Sequence, residues 1–394
     1  MSEIVLQAQV LSSLDAVDPA QWDALVSPND PFVEYAFLRA LEVSESVGEG
    51  TGWEPCHVVV HRDNRLVGAV PLYIKTHSYG EYIFDWAWAN ASHQAGLRYY
   101  PKLVSSVPFT PVTGRRLLVA DGVDAPAVMN ALLAGIERVM TDVQASSAHL
   151  LFCTESEQNH VAQQDEYMPR LSFQYHWANQ GWDSFDAYLA SFRRSARRNV
   201  LRERAQVADS GLTVHMLRGD EMEDMHWEAL WRFYRDTIDR KGAYPYLTEA
   251  FFDQLRGPLR ARVRSAFACM DGAPVAGTLG FEKGNTLYGR YWGAIIDQPG
   301  LHFELCYYQH IEWCIQHGLQ RFEAGAQGEH KIKRGLMPSA TYSVHRIAHP
   351  GLAAAVGRFL EQEHEHNVLT IEGLAKYGPF KRSANSEGSA SSQS

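Results

Sequence analysis

The sequence predicts an α/β protein that contains two copies of one domain, each with a mixed sheet flanked by helices. Its 394 residues suit two domains at a prior of roughly 150 residues each. The sequence contains a weak internal repeat: residues 56–75, CHVVVHRDNRLVGAVPLYIK, resemble residues 264–283, RSAFACMDGAPVAGTLGFEK. Helical and strand patterns alternate around both segments, which favours sheets covered by helices.

Each copy of the repeat has an apolar run, a tight turn and a second apolar run that ends in lysine. Asp63-Asn64 aligns with Asp271-Gly272, 208 residues later, and both pairs favour the positive φ angles of a hairpin turn. We therefore predict one domain over residues 1–175 and a second over residues 176–380, with equivalent hairpins. The alternative is a chance resemblance between two hairpins.

The remaining elements follow from periodicity and from start and stop signals. Helical patterns cover Pro19–Leu25, Pro31–Val43, 124–147, Trp182–Ala208, Met222–Asp239, Leu247–Leu255 and Leu301–His317. Strand patterns outside the hairpins cover His149–Thr154, Leu287–Ala294 and Gln320–Ala324. We interpret the aromatic stretch Tyr167–Asn179 as irregular, and residues 381–394, rich in Ser, Ala and Gly, as a disordered tail.

Composition excludes several classes of protein. The net charge of −10 argues against a general nucleic-acid coat protein. No stretch approaches the ~20 apolar residues of a membrane span, and the first residues lack a secretory pattern. The five cysteines are scattered without a C-x-x-C pair, so we expect a reduced, cytoplasmic protein without a metal.

The densest group of ionisable residues lies in FEAGAQGEHKIKRGLMP, residues 322–338, directly after a predicted strand. Loops at that place commonly carry ligand-binding groups, and the basic residues suit phosphate or carboxylate. His330 has the ordinary pKa of a base at neutral pH. The alternative is a polar surface turn. The candidate substrate-binding residues here are Glu323, Gln327, Glu329, Lys331, Lys333 and Arg334.

The helix predicted over Leu301–His317 places Glu304 and Tyr308 one turn apart. We expect both to face His330 and Lys331 in one pocket, because a helix start and the loop after the next strand share one end of a sheet. Glu304 is then a second candidate base and Tyr308 a candidate proton donor. The alternative is that Glu304 and Tyr308 form a carboxylate–phenol hydrogen bond at the edge of the helix, without a catalytic role.

Two further segments carry cations. Residues 193–204 hold six arginines and one glutamate, and Arg193, Arg194, Arg197 and Arg198 are candidate phosphate ligands. The alternative is a solvated helix face. Residues 96–116 contain three prolines, which exclude a helix, and they include candidates for binding the acceptor substrate. Those candidates are Tyr100, Lys102, Phe109 and Arg116. The alternative is an ordered connection that packs on the first sheet.

Three runs carry a family resemblance: GLRYYPKLVSSVPFTPVTGRR, LHFELCYYQ and FEAGAQGEHKIKRG. The chain resembles the FemAB-like family of N-acyltransferases, linked to peptidoglycan biosynthesis or recognition, over residues 20–380. The resemblance implies two tandem GNAT-like (acyl-CoA N-acyltransferase) domains. Fem ligases use aminoacyl-tRNA and GNAT enzymes use acyl-CoA. The Q/R-x-x-G-x-G/A loop that GNAT enzymes use for pyrophosphate has no clean counterpart here, so the donor stays open.

We therefore expect a cytoplasmic N-acyltransferase that moves an acyl or aminoacyl group from acyl-CoA or aminoacyl-tRNA to an amine. The acceptor is a small molecule or a peptidoglycan precursor. Neither a metal nor stable membrane insertion is expected, and tRNA is a candidate partner. The alternative is a non-catalytic module in which two degenerate domains bind a nucleic acid or a cell-wall precursor.

Overall fold

The computed structural model describes residues 6–326 and 328–381. The strands are β1 Gln7–Leu11, β2 Trp53–Pro55, β3 His57–Arg62, β4 Arg65–Val70, β5 Tyr73–Lys75, β6 Lys102–Ser105, β7 Leu118–Val119, β8 Ser147–Cys153, β9 Tyr167–Ala178, β10 Thr213–Arg218, β11 Val263–Met270, β12 Ala273–Lys283, β13 Thr286–Ala294, β14 Arg321–Glu323 and β15 Met337–Ile347. The α-helices are α1 Pro19–Asp23, α2 Tyr35–Val43, α3 Trp86–Gln94, α4 Ala125–Asp142, α5 Glu155–Val161, α6 Phe185–Ala190, α7 Arg194–Ala208, α8 Asp224–Lys241, α9 Glu249–Leu255, α10 Leu301–Phe303, α11 Gln309–Gln316 and α12 Pro350–Ala375.

Shorter helical segments complete the described chain. A π-helical segment, Glu304–Tyr308, joins α10 to α11, and residues 301–316 are called the cleft helix below. The 3-10 turns are Leu14–Ala16, Gly219–Glu221, Arg260–Arg262 and Glu329–Arg334. Residues 382–394, most of the predicted tail, and Gln327 lie outside the described residues.

The strands form two sheets. Four strands make a small sheet in the order β1-β3-β4-β7, and eleven make a large one in the order β10-β11-β12-β13-β14-β9-β15-β8-β6-β5-β2. Most neighbours are antiparallel, but β6 runs parallel to β8 and β13 runs parallel to β14. These mixed sheets with helices packed on them confirm the predicted α/β class.

The internal repeat corresponds to a repeated structural unit. In both halves an antiparallel trio of strands, β1-β3-β4 or β10-β11-β12, precedes a parallel pair, β6 with β8 or β13 with β14. The two hairpin turns adopt positive φ angles at both central residues, 53° and 61° at Asp63 and Asn64, and 50° and 81° at Asp271 and Gly272. The alignment of the two turns is therefore confirmed.

The two halves exchange strands in the large sheet. Strand β15 of the second half pairs with β8 and β9 of the first, and β9 also pairs with β14 of the second. The irregular conformation expected for Tyr167–Asn179 is thus wrong, because the residues form the twelve-residue strand β9. Its aromatic and branched residues fit a pleated sheet, and Pro169 pairs only with β15. The predicted domain boundary at 175/176 falls inside β9 and stays a prediction.

Another difference is the helix predicted over Trp182–Ala208. It divides into α6, which Ser184 caps at its amino end, and α7, because the chain is extended at Arg193 (φ −61°, ψ 146°). The backbone N–H of Arg193 donates to the carbonyl of Pro379, which anchors this break to the segment that follows α12.

The hydrophobic core is shared by the two halves. Phe32 of the first half packs edge-on against Phe281 and Tyr288 of the second, with ring centroids 5.3 and 5.1 Å apart. Arg262 joins Glu34 through two hydrogen bonds of 3.0 and 2.7 Å across the same junction. This packing fixes the position of the first half's loops over the second half's parallel pair.

Candidate active site in a cleft between the halves

A cavity of about 590 Å³ opens where β13 and β14 separate. These strands pair only from Thr286 to Tyr288, opposite Arg321 to Glu323. Beyond that point Gly289–Trp292 of β13 and Ala324–Ala326 after β14 form two walls, and the cleft helix forms a third. Helix α8, through residues 234–241, and loop 78–86 of the first half line the other sides. Ligands commonly bind where the carboxyl ends of parallel strands diverge.

The charge of the cleft is opposite to that of the protein. Among the described lining residues there are three cations, Lys241, Arg290 and Lys331, and no carboxylate, although the whole chain carries −10. None of the three cations forms an ion pair with a carboxylate within the described ranges. A concave site lined by one sign of charge attracts ligands of the other sign, so this cleft favours an anionic ligand.

The 3-10 turn Glu329–Arg334 supplies the first functional group. Lys331 is 2% exposed, and its Nζ donates to the carbonyl of Gly325 at 2.8 Å. Burial lowers the pKa of Lys331 to about 8, with a small opposing influence from Cys306. The side chain therefore remains mostly cationic at neutral pH, with N–H groups left to donate to a ligand.

The second group is His330, whose Nε2 lies 3.0 Å from the hydroxyl of Tyr307. Burial first, and then the charges of Arg334 and Lys331, lower the pKa of His330 below its ordinary value. Burial raises the pKa of the Tyr307 phenol. At neutral pH the imidazole is thus uncharged and the phenol keeps its proton. When Nε2 carries the ring hydrogen and donates it to the Tyr307 oxygen, Nδ1 of His330 is unprotonated and can accept a proton from a ligand.

The π-helical segment decides which side chains of the cleft helix line the cavity. The N–H of Gln309 donates to the carbonyl of Glu304, five residues earlier, which inserts one residue into the helical turn. The cavity wall consequently receives His302, Cys306, Tyr307 and His310.

His310 has its tautomer fixed by this distortion. Its Nδ1 lies 2.7 Å from the carbonyl of Leu305 and must carry the hydrogen, because a carbonyl only accepts. Burial lowers the pKa of His310 to about 4, and Nε2 has no hydrogen-bond partner among the described residues.

The structure does not bring Glu304 and Tyr308 into the cavity with His330 and Lys331, which corrects the expected grouping. Glu304 is buried, pairs with Arg204 at 3.1 Å and accepts from Gln309 at 2.7 Å. Tyr308 donates to Glu203 and accepts from Arg334 at 3.0 Å. The inserted residue turns both side chains toward α7, so Tyr307 takes the place expected for Tyr308.

Two predicted acceptor-side residues are buried structural cations, which corrects their placement. Lys102 is 0% exposed and donates to Ser78 and Glu81, both at 2.8 Å. Arg116 is 0% exposed and donates to backbone carbonyls, including that of Leu151 at 2.9 Å. Buried charges require such partners, so neither cation is left for a ligand.

Tyr100 and Phe109 support the cleft from behind its wall. The hydroxyl of Tyr100 lies 2.8 Å from Oγ of Ser78, at the start of loop 78–86. Phe109 stacks on Tyr246 with ring centroids 5.0 Å apart, and its carbonyl accepts from Arg290. Both act on the cleft through residues that line it.

The other candidate residues between 322 and 338 lie in different environments. Glu323 ends β14, is buried and pairs with Arg321 at 2.7 Å, and burial raises its pKa to about 7. Glu329 and Lys333 are exposed on the 3-10 turn, while Arg334 is buried. Gln327 lies outside the described residues.

A second cavity of about 230 Å³ lies on the other side of the 3-10 turn. Arg193, Tyr308, Lys333 and Arg334 line it. The remaining predicted phosphate ligands, Arg194, Arg197 and Arg198, are exposed on the adjoining α7.

Sequence reasoning missed several residues of the cleft. His302, Cys306 and His310 recur at four-residue spacing, which places them on one helix face and was a usable signal. Tyr307 had no such signal, because the π-helical insertion is not visible in the pattern. Arg290 sits on a strand among aromatic residues, and nothing local distinguishes it.

Between residues 6 and 381, Gln327 aside, no group of three or more His, Cys, Asp or Glu side chains is arranged to hold a metal ion. Within the same residues, no helix is both long enough and apolar enough to cross a bilayer.

Solved structures of other proteins share this fold. No curated protein matches the chain by sequence. The crystal structure of FemX superposes with a TM-score of 0.54 at 13% identity, covering 89% of this chain and 100% of that one. A conserved protein of unknown function from Bacteroides thetaiotaomicron gives a TM-score of 0.52 at 10% identity, covering 86% and 100%. The predicted tandem GNAT-like architecture is therefore confirmed.

A family model described as peptidoglycan biosynthesis/recognition matches residues 13–382, nearly the whole chain. The expected resemblance is confirmed, and the protein belongs to the FemAB-like family.

Proposed function

We propose that the cleft transfers an acyl or aminoacyl group from an activated donor to an amine of a peptidoglycan precursor. The observation that carries the proposal is Lys331, a buried cation that faces the cavity without a carboxylate partner in the described chain. Burying an unpaired charge is costly, so the position is best explained by a charge that develops on a ligand.

The reaction assigns a task to each group. A neutral amine of the acceptor attacks the donor's carbonyl carbon, so that a C–N bond forms and an oxyanion develops. The Lys331 ammonium donates to that oxyanion. His330, held by Tyr307, takes the proton that the amine loses. The C–O or C–S bond to the donor's leaving group then breaks, and the proton passes to the departing oxygen or sulfur.

Both candidate donors are anionic, as are precursors of the cell wall that carry phosphate. The three cleft cations and the absence of carboxylates in the described lining support either donor. Membership of the FemAB-like family favours aminoacyl-tRNA, and the GNAT-like fold favours acyl-CoA. We keep both as candidates, with no metal in the chemistry proposed.

The proposal is tested by incubating the full chain with a mixture of aminoacyl-tRNAs or with acyl-CoA. The acceptor is a precursor peptide that bears a free amine, and mass spectrometry detects the acylated product. His330→Ala should lower the rate ~10²–10⁴-fold if the imidazole is the base. His364→Ala changes an exposed histidine on α12 and is the matched control.

Two results would count against the proposal. Turnover of His330→Ala close to that of the unchanged protein would remove the imidazole from the mechanism. Binding of the precursor without transfer from any donor would instead favour the non-catalytic module.

A further inference from the structure

The small cavity beside α7 carries charges that the proposed transfer reaction does not use. Arg193 and Lys333 line it, and neither forms an ion pair with a carboxylate of the described residues. Arg334 lies deeper, 6% exposed, with its guanidinium 3.4 Å from the ring centroid of Phe303. One carboxylate, Glu203, also lines the cavity.

The inner part of the cavity is rigidly built. Arg334 Nη2 donates to Glu203 at 2.8 Å, and Arg334 Nε donates to the Tyr308 hydroxyl at 3.0 Å. Arg334 Nη1 donates to the carbonyl of His330 at 2.8 Å. Glu203 is already occupied by Arg334 and Tyr308, and Arg193 Nη2 donates to the carbonyl of Gly378, which does not neutralise its charge. The charge left facing the opening is that of Arg193 and Lys333.

The surface around the opening is also cationic. Arg194, Arg197, Arg198 and Arg202 are exposed on α7, and no carboxylate of the described chain pairs with them. The nearby acidic residues Glu304 and Glu312 are both occupied by Arg204. This side of the protein thus concentrates positive charge in a chain whose net charge is −10.

From this arrangement we propose that the small cavity is a phosphate-binding site, separate from the cleft, in which Arg193 and Lys333 contact a phosphate group. Arginine and lysine side chains bind phosphate through charge-assisted hydrogen bonds. Ser195 and Asn199 line the same cavity and supply neutral polar groups. The phosphate belongs to an RNA backbone, to the nucleotide part of CoA, or to a free phosphate ion.

The site has a defined relation to the cleft. A single 3-10 turn presents His330 and Lys331 to the cleft and Lys333 and Arg334 to the small cavity. A donor whose phosphates occupy the small cavity therefore binds against the turn that carries the proposed base. This relation rests on the proposed function, but the phosphate site itself does not.

The test measures equilibrium binding without turnover, so that its failure is distinct from a failure of the transfer reaction. Uncharged tRNA, CoA and inorganic phosphate are titrated separately against the full chain at two salt concentrations. Lys333→Glu and Arg193→Glu should each weaken the phosphate-bearing probe that uses the site by about tenfold or more. Arg138→Glu, which changes an exposed side chain on α4, is the matched control for charge reversal.

The pattern of loss identifies the source of the phosphate. If the variants weaken the binding of tRNA alone, the site binds an RNA backbone. If they weaken the binding of CoA alone, the site binds the nucleotide part of CoA. If they weaken the binding of all three probes, the site binds phosphate in general. If Lys333→Glu and Arg193→Glu bind every probe as the control does, the proposal is overturned. Circular dichroism of each variant shows that a loss does not come from unfolding.

Discussion

The two parallel strand pairs share one geometry but differ in what fills the space beyond them. In the second half, β13 and β14 separate after Tyr288 and Glu323, and the space is the cleft. In the first half, β6 pairs with β8 only as far as Ser105 and Leu150. There, Arg116 donates to the carbonyls of Val112, Leu151 and Phe152 at 2.5, 2.9 and 3.3 Å.

The correspondence extends to single residues. Counting from the last paired residue, Phe152 is equivalent to Gly325, and both have positive φ angles, 55° and 79°. A buried cation contacts the strand end in each half, Arg116 at Phe152 and Lys331 at Gly325. In one copy the cation closes the space for stability, and in the other it lines an open cavity. The two copies of the repeat therefore use equivalent positions for different purposes.

The largest expected effect tests the closed copy. Arg116→Met should lower the free energy of unfolding by about 3–5 kcal/mol, because buried carbonyls and the nearby carboxylate of Asp30 lose their partner. Denaturant unfolding followed by circular dichroism measures the change. Arg115→Met, an exposed neighbour, should change it little. Equal stability of Arg116→Met and Arg115→Met would show that the guanidinium does not support the first half.

The open copy should behave in the opposite way. Lys331→Met should lower the transfer rate ~10²–10³-fold, because the oxyanion loses a donor, while the free energy of unfolding stays the same or rises. Rate assays and denaturant unfolding on the same preparation separate the two effects. A large loss of stability with little loss of rate would make Lys331 a structural cation like Arg116.

The pH dependence of the rate sharpens the same test. The pKa of Lys331 is lowered to about 8, so its ammonium persists below that pH and is lost above it. The rate should therefore fall as pH rises past about 8. Lys331→Arg keeps its charge at high pH and should lack this decline, although its rate at neutral pH is lower. A decline at the same pH in both proteins would assign it to another group.

The smallest expected effect concerns the shared backbone conformation. Gly325→Ala should lower the free energy of unfolding by only ~1 kcal/mol, because the φ of 79° disfavours a Cβ while no atom lies within 4 Å of it. Gly373→Ala, inside α12 and equally open, should instead raise it by ~0.5–1 kcal/mol. The two variants have the same added atom and opposite signs, which thermal or denaturant unfolding can resolve.

The local parts of the fold could be predicted from the sequence, and the long-range parts could not. Asp63-Asn64 and Asp271-Gly272 revealed both hairpins, because such turns depend on neighbouring residues alone. The pairing of β9 with β15 joins strands that are far apart in the sequence, and a local sequence pattern does not predict such pairing.

The site was predicted unevenly for similar reasons. His330 and Lys331 could be found because ionisable residues cluster after a strand. Lys102 and Arg116 looked like ligand-binding cations, since composition does not show that backbone and carboxylate partners surround them. Regular α-helical spacing favours Tyr308 over Tyr307, but the segment is π-helical and the inserted residue brings Tyr307 to the cavity instead.

The strand exchange also has a consequence for synthesis on the ribosome. Ser147 of β8 pairs with Ile347 of β15, a partner that is translated 200 residues later. At elongation rates of roughly 5–20 residues per second, that interval lasts about 10–40 s. During this time the edge of β8 that β15 will cover remains open on a nascent chain. Chaperones that bind such edges therefore have a defined window in which to protect the first half, and it closes only after β15 emerges.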